Sequence, residues 1–358
     1  SVDPHRDDAL QDTAVPPDIP ACEAAGSPAP TTAGLPVPQP WGGPPRFDDA
    51  TPLLGDAAVY AFSASWGDVN GDLWPDLVIP GPRTETSLGS RASKGTVWAT
   101  VQYGCAGSFA RASVGAARGQ STPDQYYAHG SDVVDLDGDG RLDIVATWTR
   151  GAAIALQGAD VTFTPRPLDT NTDGGVGRQF WGVTPFDFDV DGDLDLMLTV
   201  YDGPNSVMRN DGGGSFVEQV TGAASALYDP TDYVSYSATV VVGPPGRVRP
   251  LLYVANNGFG PGRPTVKPDY VFAMPGPWQF DPVPLPDSPD SSMGVDFAHL
   301  DDGETTLVAV SQTGSFPVLV LRGETLTPLS PRVDGMRPVN SWAVLFDDFD
   351  MDGREELF

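Results

Sequence analysis

The sequence predicts an all-β chain folded as a propeller, and three observations predict it. The chain is rich in Gly and Pro, with short apolar stretches and no helical periodicity, the pattern of many short strands joined by turns. One acidic pattern, Asp-x-(Asp/Asn)-x-Asp-x-x-x-(Asp/Glu), occurs four times, each copy followed at once by apolar residues. The residues flanking these loops recur at roughly 50-residue spacing, the length of one four-stranded propeller blade.

Residues 1–44 are rich in Pro, Ala, Asp and Thr and read as a tail or linker with no core of its own. Residues 45–358 read as the propeller, truncated at the C-terminus. The register of its units comes from the acidic loops. With the first Asp of each loop as position one, a large side chain stands six residues earlier, at Phe62, His129, Trp181 and Trp342. A small residue follows it, at Ser63, Gly130, Gly182 and Ala343. The same step recurs at Tyr236-Ser237 and Met293-Gly294, which places Val242 and His299 at position one of two further units. Their loops, VGPPGRVRP and HLDDGETTL, have lost most acids but still precede apolar strands. Six units are therefore visible, four with full acidic loops, and we expect six or seven blades when the ring is complete.

Each unit also ends in a strand built around one apolar residue: Phe109, Phe163, Phe216, Phe280 and Leu326. Phe216 follows the turn NDGGGS, a hairpin signal. A further copy, RFDDAT around Phe47, precedes the first loop and is expected to close the ring by pairing into the last blade. The strand after each loop is apolar on both faces (LVI, IVA, LML), as a strand buried between neighbouring blades requires. The last unit stops two residues after its loop, which we read as a fragment.

The acidic loops predict metal sites. Carboxylates this dense repel one another unless a cation sits among them, and hard cations such as Ca²⁺ take six to eight oxygens from flexible loops. Positions one, three and five would supply Asp68, Asn70 and Asp72, then Asp135, Asp137 and Asp139. In the later copies they would supply Asp187, Asp189 and Asp191, then Asp348, Asp350 and Asp352. A backbone carbonyl at position seven (Trp74, Arg141, Asp193, Arg354) could add a further oxygen. The acid at position nine (Asp76, Asp143, Asp195, Glu356) closes the site and could bind through both oxygens. An acid at nine rather than twelve, between strands rather than helices, separates the pattern from an EF-hand. About four Ca²⁺ per chain are expected, each joining the first two strands of a blade.

Composition excludes some partners. Lys plus Arg number 20 against 48 Asp plus Glu, a formal net charge of -28, so the chain lacks the basic face that nucleic acid or anionic lipid would need. No apolar run reaches the ~18 residues of a membrane span. The start at Ser1, without an apolar leader, fits a processed or trimmed secreted protein. The two cysteines, Cys22 and Cys105, could form a disulfide in an oxidising compartment and pin the tail to the body. His5, His129 and His299 are too scattered for a zinc site or a His-based triad.

The four acidic loops and the terminal strands, RNDGGGSFVEQVTG above all, resemble the FG-GAP/VCBS repeat family. That family includes the propellers of integrin α subunits and secreted proteins of the cartilage acidic protein type. The resemblance spans roughly residues 46–358. It implies a propeller with calcium between the first two strands of a blade, and an extracellular or cell-surface location, or the periplasm in a bacterium. In integrin α subunits, aromatics at the large-small step ring one mouth of the propeller and cage a basic side chain. The corresponding residues here are Phe62, His129, Trp181, Tyr236, Met293 and Trp342; packing between blades is the alternative role for them.

The function expected from the sequence is a secreted, calcium-stabilised module that binds a protein partner, serving in adhesion or as a scaffold. A carbohydrate-binding propeller using Trp41, Trp74 or Trp148 as sugar platforms is the alternative. A polysaccharide-degrading enzyme is disfavoured: most clustered acids are committed to cations, and neither G-x-S-x-G nor H-E-x-x-H occurs.

Overall fold

The computed structural model describes residues 62–72, 74–80, 97–105, 108–115, 128–148, 151–170, 178–201, 203–219, 235–242, 249–256, 268–285, 292–300, 305–312, 317–322, 325–329, 343–347 and 356–357. Five four-stranded antiparallel meanders and one two-stranded sheet account for the strands among the described residues. Blade I holds β1 (Ser65–Gly67), β2 (Asp76–Pro80), β3 (Val97–Cys105) and β4 (Ser108–Gly115). Blade II holds β5 (Ala128–Val134), β6 (Asp143–Trp148), β7 (Gly151–Gln157) and β8 (Phe163–Pro167). Blade III holds β9 (Phe180–Phe186), β10 (Asp195–Val200), β11 (Ser206–Asn210) and β12 (Phe216–Glu218). Blade IV holds β13 (Ser235–Val241), β14 (Leu251–Asn256), β15 (Tyr270–Ala273) and β16 (Asp281–Pro282). Blade V holds β17 (Ser292–His299), β18 (Thr306–Gln312), β19 (Val318–Arg322) and β20 (Thr325–Pro328). Blade VI contributes β21 (Phe346–Asp347) paired with β22 (Glu356–Leu357).

The first strands of successive blades pack side by side in chain order, β1 on β5, β5 on β9, β9 on β13, β13 on β17 and β17 on β21. That is the radial arrangement of a β-propeller. The second strands are buried along their whole length in blades I to IV, as their two-faced apolar sequences predict. Among the described terminal-strand markers, Phe280 alone stands outside its strand. It sits just before β16, after a turn in which Gln279 N–H donates to the Gly276 carbonyl.

The core lies between blades rather than within them. Val69 of blade I packs with Val133, Ile144 and Ala155 of blade II. Leu136 of blade II packs with Leu196, Leu198 and Met208 of blade III, and Phe188 of blade III packs with Leu252, Phe272 and Phe280 of blade IV. All three wedges occupy position two of an acidic loop, so each loop plugs its apolar residue into the next blade. The small residue of the large-small step follows from the same closeness. A Cβ at Gly130 would lie 2.5 Å from the Trp181 carbonyl oxygen, and one at Gly182 would lie 2.9 Å from that of Tyr236. Threonines of the second strands cross-link these contacts. Gly130 N–H donates to Thr147 Oγ1 (2.9 Å), which donates to the Trp181 carbonyl (3.2 Å). Gly182 N–H donates to Thr199 Oγ1 (2.7 Å), which donates to the Tyr236 carbonyl (3.0 Å).

The tail 1–44, Phe47, Trp41, Cys22, Trp342 and the loop from Asp348 to Arg354 lie outside the described residues, as do the side chains of Cys105 and Glu356. Among the described residues, no helix is long and apolar enough to cross a membrane.

Candidate metal centres and the aromatic mouth

The acidic loops of blades I, II and III share one hydrogen-bond plan. The position-one carboxylate accepts the N–H of position five, Asp72 to Asp68 (2.9 Å), Asp139 to Asp135 (3.2 Å) and Asp191 to Asp187 (3.1 Å). The position-five carboxylate accepts the N–H of position seven, from Trp74 (2.8 Å), Arg141 (2.9 Å) and Asp193 (3.0 Å). These local turns curl the carboxylates onto one side of the loop. Asp135, Asp137 and Asp143 then present oxygens within 4.8 Å of one another, and so do Asp187, Asp189 and Asp195. Oxygens bound to one Ca²⁺ at about 2.4 Å can be at most about 4.8 Å apart, so both trios fit a single ion. In blade I the same places hold Asp68, Asn70 and Asp76.

In blade II position five is drawn away from the trio: Asp139 is ion-paired with Arg141, and Arg141 Nε also donates to the Gln157 carbonyl (3.1 Å). In blade III Asp191 instead stays with the trio: burial raises the pKa of Asp189 and Asp195, and the Asp191 carboxylate adds to it. In blade I Asn70 Nδ2 donates to Asp72 Oδ2 (3.1 Å).

The position-nine acid has a second role that sequence reasoning missed. Asp76, Asp143 and Asp195 have no exposed surface. One oxygen of each accepts the position-two N–H, from Val69 (2.8 Å), Leu136 (2.8 Å) and Phe188 (2.9 Å). The other accepts an N–H from the third strand, from Gly104 (2.8 Å), Gln157 (2.7 Å) and Asn210 (2.8 Å). Both oxygens are therefore already engaged by the backbone, and the carboxylate ties the loop to its own blade. Burial raises these acids most, with neighbouring loop carboxylates adding to it. Asp76 and Asp143 are pushed up to about 6 and Asp195 to about 7. A cation among the oxygens would offset both causes. Asp189 points the same way: its Oδ1 is buried without a hydrogen-bond partner, and such an atom is costly unless something positive meets it. The residues present therefore fit a divalent cation.

Position four requires a left-handed backbone. Gly71 and Gly138 supply it at φ 75° and 76°, but the third loop places Val190 there at φ 62°. A β-branched residue in that region is strained. Val190 is also 69% exposed, so its side chain gives little packing in return. Val190→Gly is expected to raise stability by about 1 kcal/mol, read as a higher urea midpoint with unchanged slope. An unchanged or lower midpoint would show that the loop carries no such strain.

At the other end of the first strands, the large residues of the large-small step converge. A cavity of about 260 Å³ is lined by Phe62, His129, Trp181, Tyr236, Met293 and, from blade VI, Ala343 and Val344. The rings touch in sequence: Phe62 to His129 at 5.6 Å between centroids, His129 stacked on Trp181 at 4.2 Å, and Trp181 to Tyr236 at 4.5 Å. Tyr201, which the repeat pattern did not single out, joins them at 5.7 Å from Trp181 and 5.6 Å from Tyr236. It stands immediately after β10, and nothing in the repeat marks that place. His129 Nδ1 lies 2.7 Å from the Phe180 carbonyl, so Nδ1 carries the proton and donates. Burial lowers its pKa, and the ring is a neutral aromatic wall. Phe62 is 59% exposed and forms the rim. Trp148, a candidate sugar platform, is only 4% exposed and packs in the core between blades I and II. That corrects the expectation, because the second strand of a blade has no solvent face.

The fold and these loops define a β-propeller whose blades carry acidic, cation-type loops. Residues 135–198, which span two of those loops, match the FG-GAP-like repeat family. No curated protein matches the chain. Among solved structures it is similar to the Dos1 propeller, at 10% identity and a TM-score of 0.43, covering 75% of this chain and 60% of that one. It is similar to an Agrocybe aegerita lectin that recognises non-reducing terminal N-acetylglucosamine, at 14% identity and a TM-score of 0.46, covering 83% and 70%. It is also similar to the periplasmic gluconolactonase of Pseudomonas aeruginosa, at 19% identity and a TM-score of 0.44, covering 77% and 71%. None of these likenesses bears on what this chain does.

Proposed function

We propose that the protein is a secreted, calcium-stabilised propeller that binds a protein partner at its aromatic mouth, engaging a basic side chain there. The observation that carries this reading is the cavity itself. Five residues at one repeat position in five blades line it together, and four of them are aromatic rings. Faces of Trp, Tyr and Phe attract a guanidinium or ammonium group, and the chain's net charge of -28 favours the approach of a cationic partner. The loops hold Ca²⁺ away from the mouth, and their role is stability. Among the described lining residues the titratable side chains are His129, whose Nδ1 is committed to the Phe180 carbonyl, and Tyr236; no carboxylate, lysine, arginine or cysteine is among them. Binding rather than catalysis is therefore the role we assign, in an extracellular, cell-surface or periplasmic setting where calcium is plentiful.

The test uses arginine and lysine side chains as probes. Nα-acetyl-arginine amide and its lysine counterpart are titrated into the protein while tryptophan fluorescence is followed. Saturable binding is expected, weakened about 5- to 10-fold or more in Trp181→Ala, because a cation–π contact contributes about 1 kcal/mol or more when desolvated. Absence of binding by either probe would overturn the basic-partner reading. Saturable binding of sugars on a glycan array, lost in Trp181→Ala, would replace it with the carbohydrate reading.

A further inference from the structure

The three described acidic loops are joined by a buried belt of hydrogen bonds that cation binding alone does not call for. Position two is the crossing point. The N–H of Val69, Leu136 or Phe188 goes to the position-nine acid of its own loop, at 2.8, 2.8 and 2.9 Å. The carbonyl of the same residue goes to the next blade. Gln157 Nε2 of blade II donates to the Val69 carbonyl at 2.6 Å. Asn210 Nδ2 of blade III donates to the Leu136 carbonyl at 2.8 Å. In blade IV the Trp278 backbone N–H donates to the Phe188 carbonyl at 2.9 Å.

Gln157 and Asn210 each face two loops at once. Their side chains hold the preceding blade's loop, while their own backbone N–H groups hold Asp143 and Asp195 at 2.7 and 2.8 Å. A continuous path therefore runs from Asp76 through Val69 and Gln157 to Asp143, then through Leu136 and Asn210 to Asp195, and on to Phe188 and Trp278.

We propose that Gln157 and Asn210 are positioning residues that couple the cation loops of blades I, II and III, so that a cation bound in one loop strengthens binding in the loop before it. The proposal rests on the reading of these loops as cation sites. A loop without a cation has its carboxylates pushed apart by mutual repulsion. A bound cation offsets the mutual repulsion of positions one, three and nine and further restrains the position-nine carboxylate that the backbone already holds. In blade III that carboxylate is Asp195, and restraining it further stiffens the Asn210 backbone it is bonded to (2.8 Å), whose side chain holds the Leu136 carbonyl. The Asp135 loop is thereby ordered before its own cation arrives, and it binds with less ordering entropy left to lose. The same argument carries from Asp143 through Gln157 to the Asp68 loop. Reciprocity requires the effect to run both ways.

Calcium titration of the full chain by calorimetry, in a double-mutant cycle, tests this. Asp187→Ala disables the third loop. In the otherwise native chain it should weaken the remaining sites about 5-fold or more. In an Asn210→Leu background, which keeps the backbone N–H to Asp195 and removes only the side-chain link, Asp187→Ala should leave the remaining sites unchanged. A simple loss of packing at Asn210 would not erase the dependence of one site on another. Gln157→Met gives a second, independent cycle with Asp135→Ala, read at the Asp68 loop, should Asn210→Leu fail to fold. Equal effects of Asp187→Ala in both backgrounds, or none in the native chain, overturn the coupling while leaving the sites intact. A chain that binds no calcium at all overturns the cation reading and the coupling with it.

Discussion

Removing the Asp195 carboxylate, as Asp195→Ala, is expected to destabilise the protein by about 3–5 kcal/mol. The carboxylate has no exposed surface and accepts two backbone hydrogen bonds, from Phe188 N–H at 2.9 Å and Asn210 N–H at 2.8 Å. Alanine leaves both N–H groups buried without an acceptor, and each such orphan costs about 1–3 kcal/mol. The loss should appear without any cation present, because the backbone contacts do not depend on one. Asp195→Asn keeps an acceptor oxygen for one of the two N–H groups and should fall between alanine and the native chain. Urea denaturation in chelator reads both. If Asp195→Ala cost under about 1 kcal/mol in chelator, the position-nine acid would be a cation ligand with no structural role of its own.

Chelation of calcium is expected to lower the melting temperature substantially, by an amount that grows with pH. A ligand bound only by the folded state at 100-fold its dissociation constant contributes about 2.7 kcal/mol per site, so several loops together outweigh a single mutation. The pH dependence follows from the buried acids. In the cation-free protein Asp195 is raised to about 7, and Asp76 and Asp143 to about 6, from an ordinary 3.8, chiefly by burial. Between about pH 4 and 7 the folded state therefore holds protons that the unfolded state has lost. The contribution of these three acids to stability in chelator is full below pH 4 and is lost as pH rises through 6 to 7. Calcium requires the deprotonated carboxylates, so its contribution moves the opposite way. The gap between melting temperatures with and without calcium should be small near pH 5 and large near pH 8. A gap that is constant with pH would separate the cation from the position-nine acids, and equal melting curves with and without calcium would remove the cation from the structure altogether.

The nine-residue loops were legible in the sequence because every candidate ligand in a loop comes from one contiguous segment. Spacing alone places Asp135, Asp137 and Asp143 in one turn, and the structure brings their oxygens within 4.8 Å. The repeat register and the second-strand burial were legible for a related reason. Hydrophobicity on both faces is a local property, and β6, β10 and β14 are buried throughout as it requires. Local pattern was also enough to name Phe62, His129, Trp181, Tyr236 and Met293 as equivalent positions.

Whether those positions meet was for the tertiary structure to decide. Residues from six blades line one cavity only because the first strands pack side by side around a common centre. Tyr201 joins them and Trp148 is lost to the core for the same reason: neighbours across blades decide both. The link from Gln157 to Val69 spans 88 residues of sequence, and the link from Asn210 to Leu136 spans 74. Nothing in the local spacing of an amide residue at the end of a third strand says which carbonyl it will meet. The sequence by itself determined the repeat, the loops and their chemistry, all of which depend on residues close together in the chain. The packing of blade on blade decided what ties each loop to the next and where the aromatic residues form a mouth, because those contacts exist only once the blades are stacked.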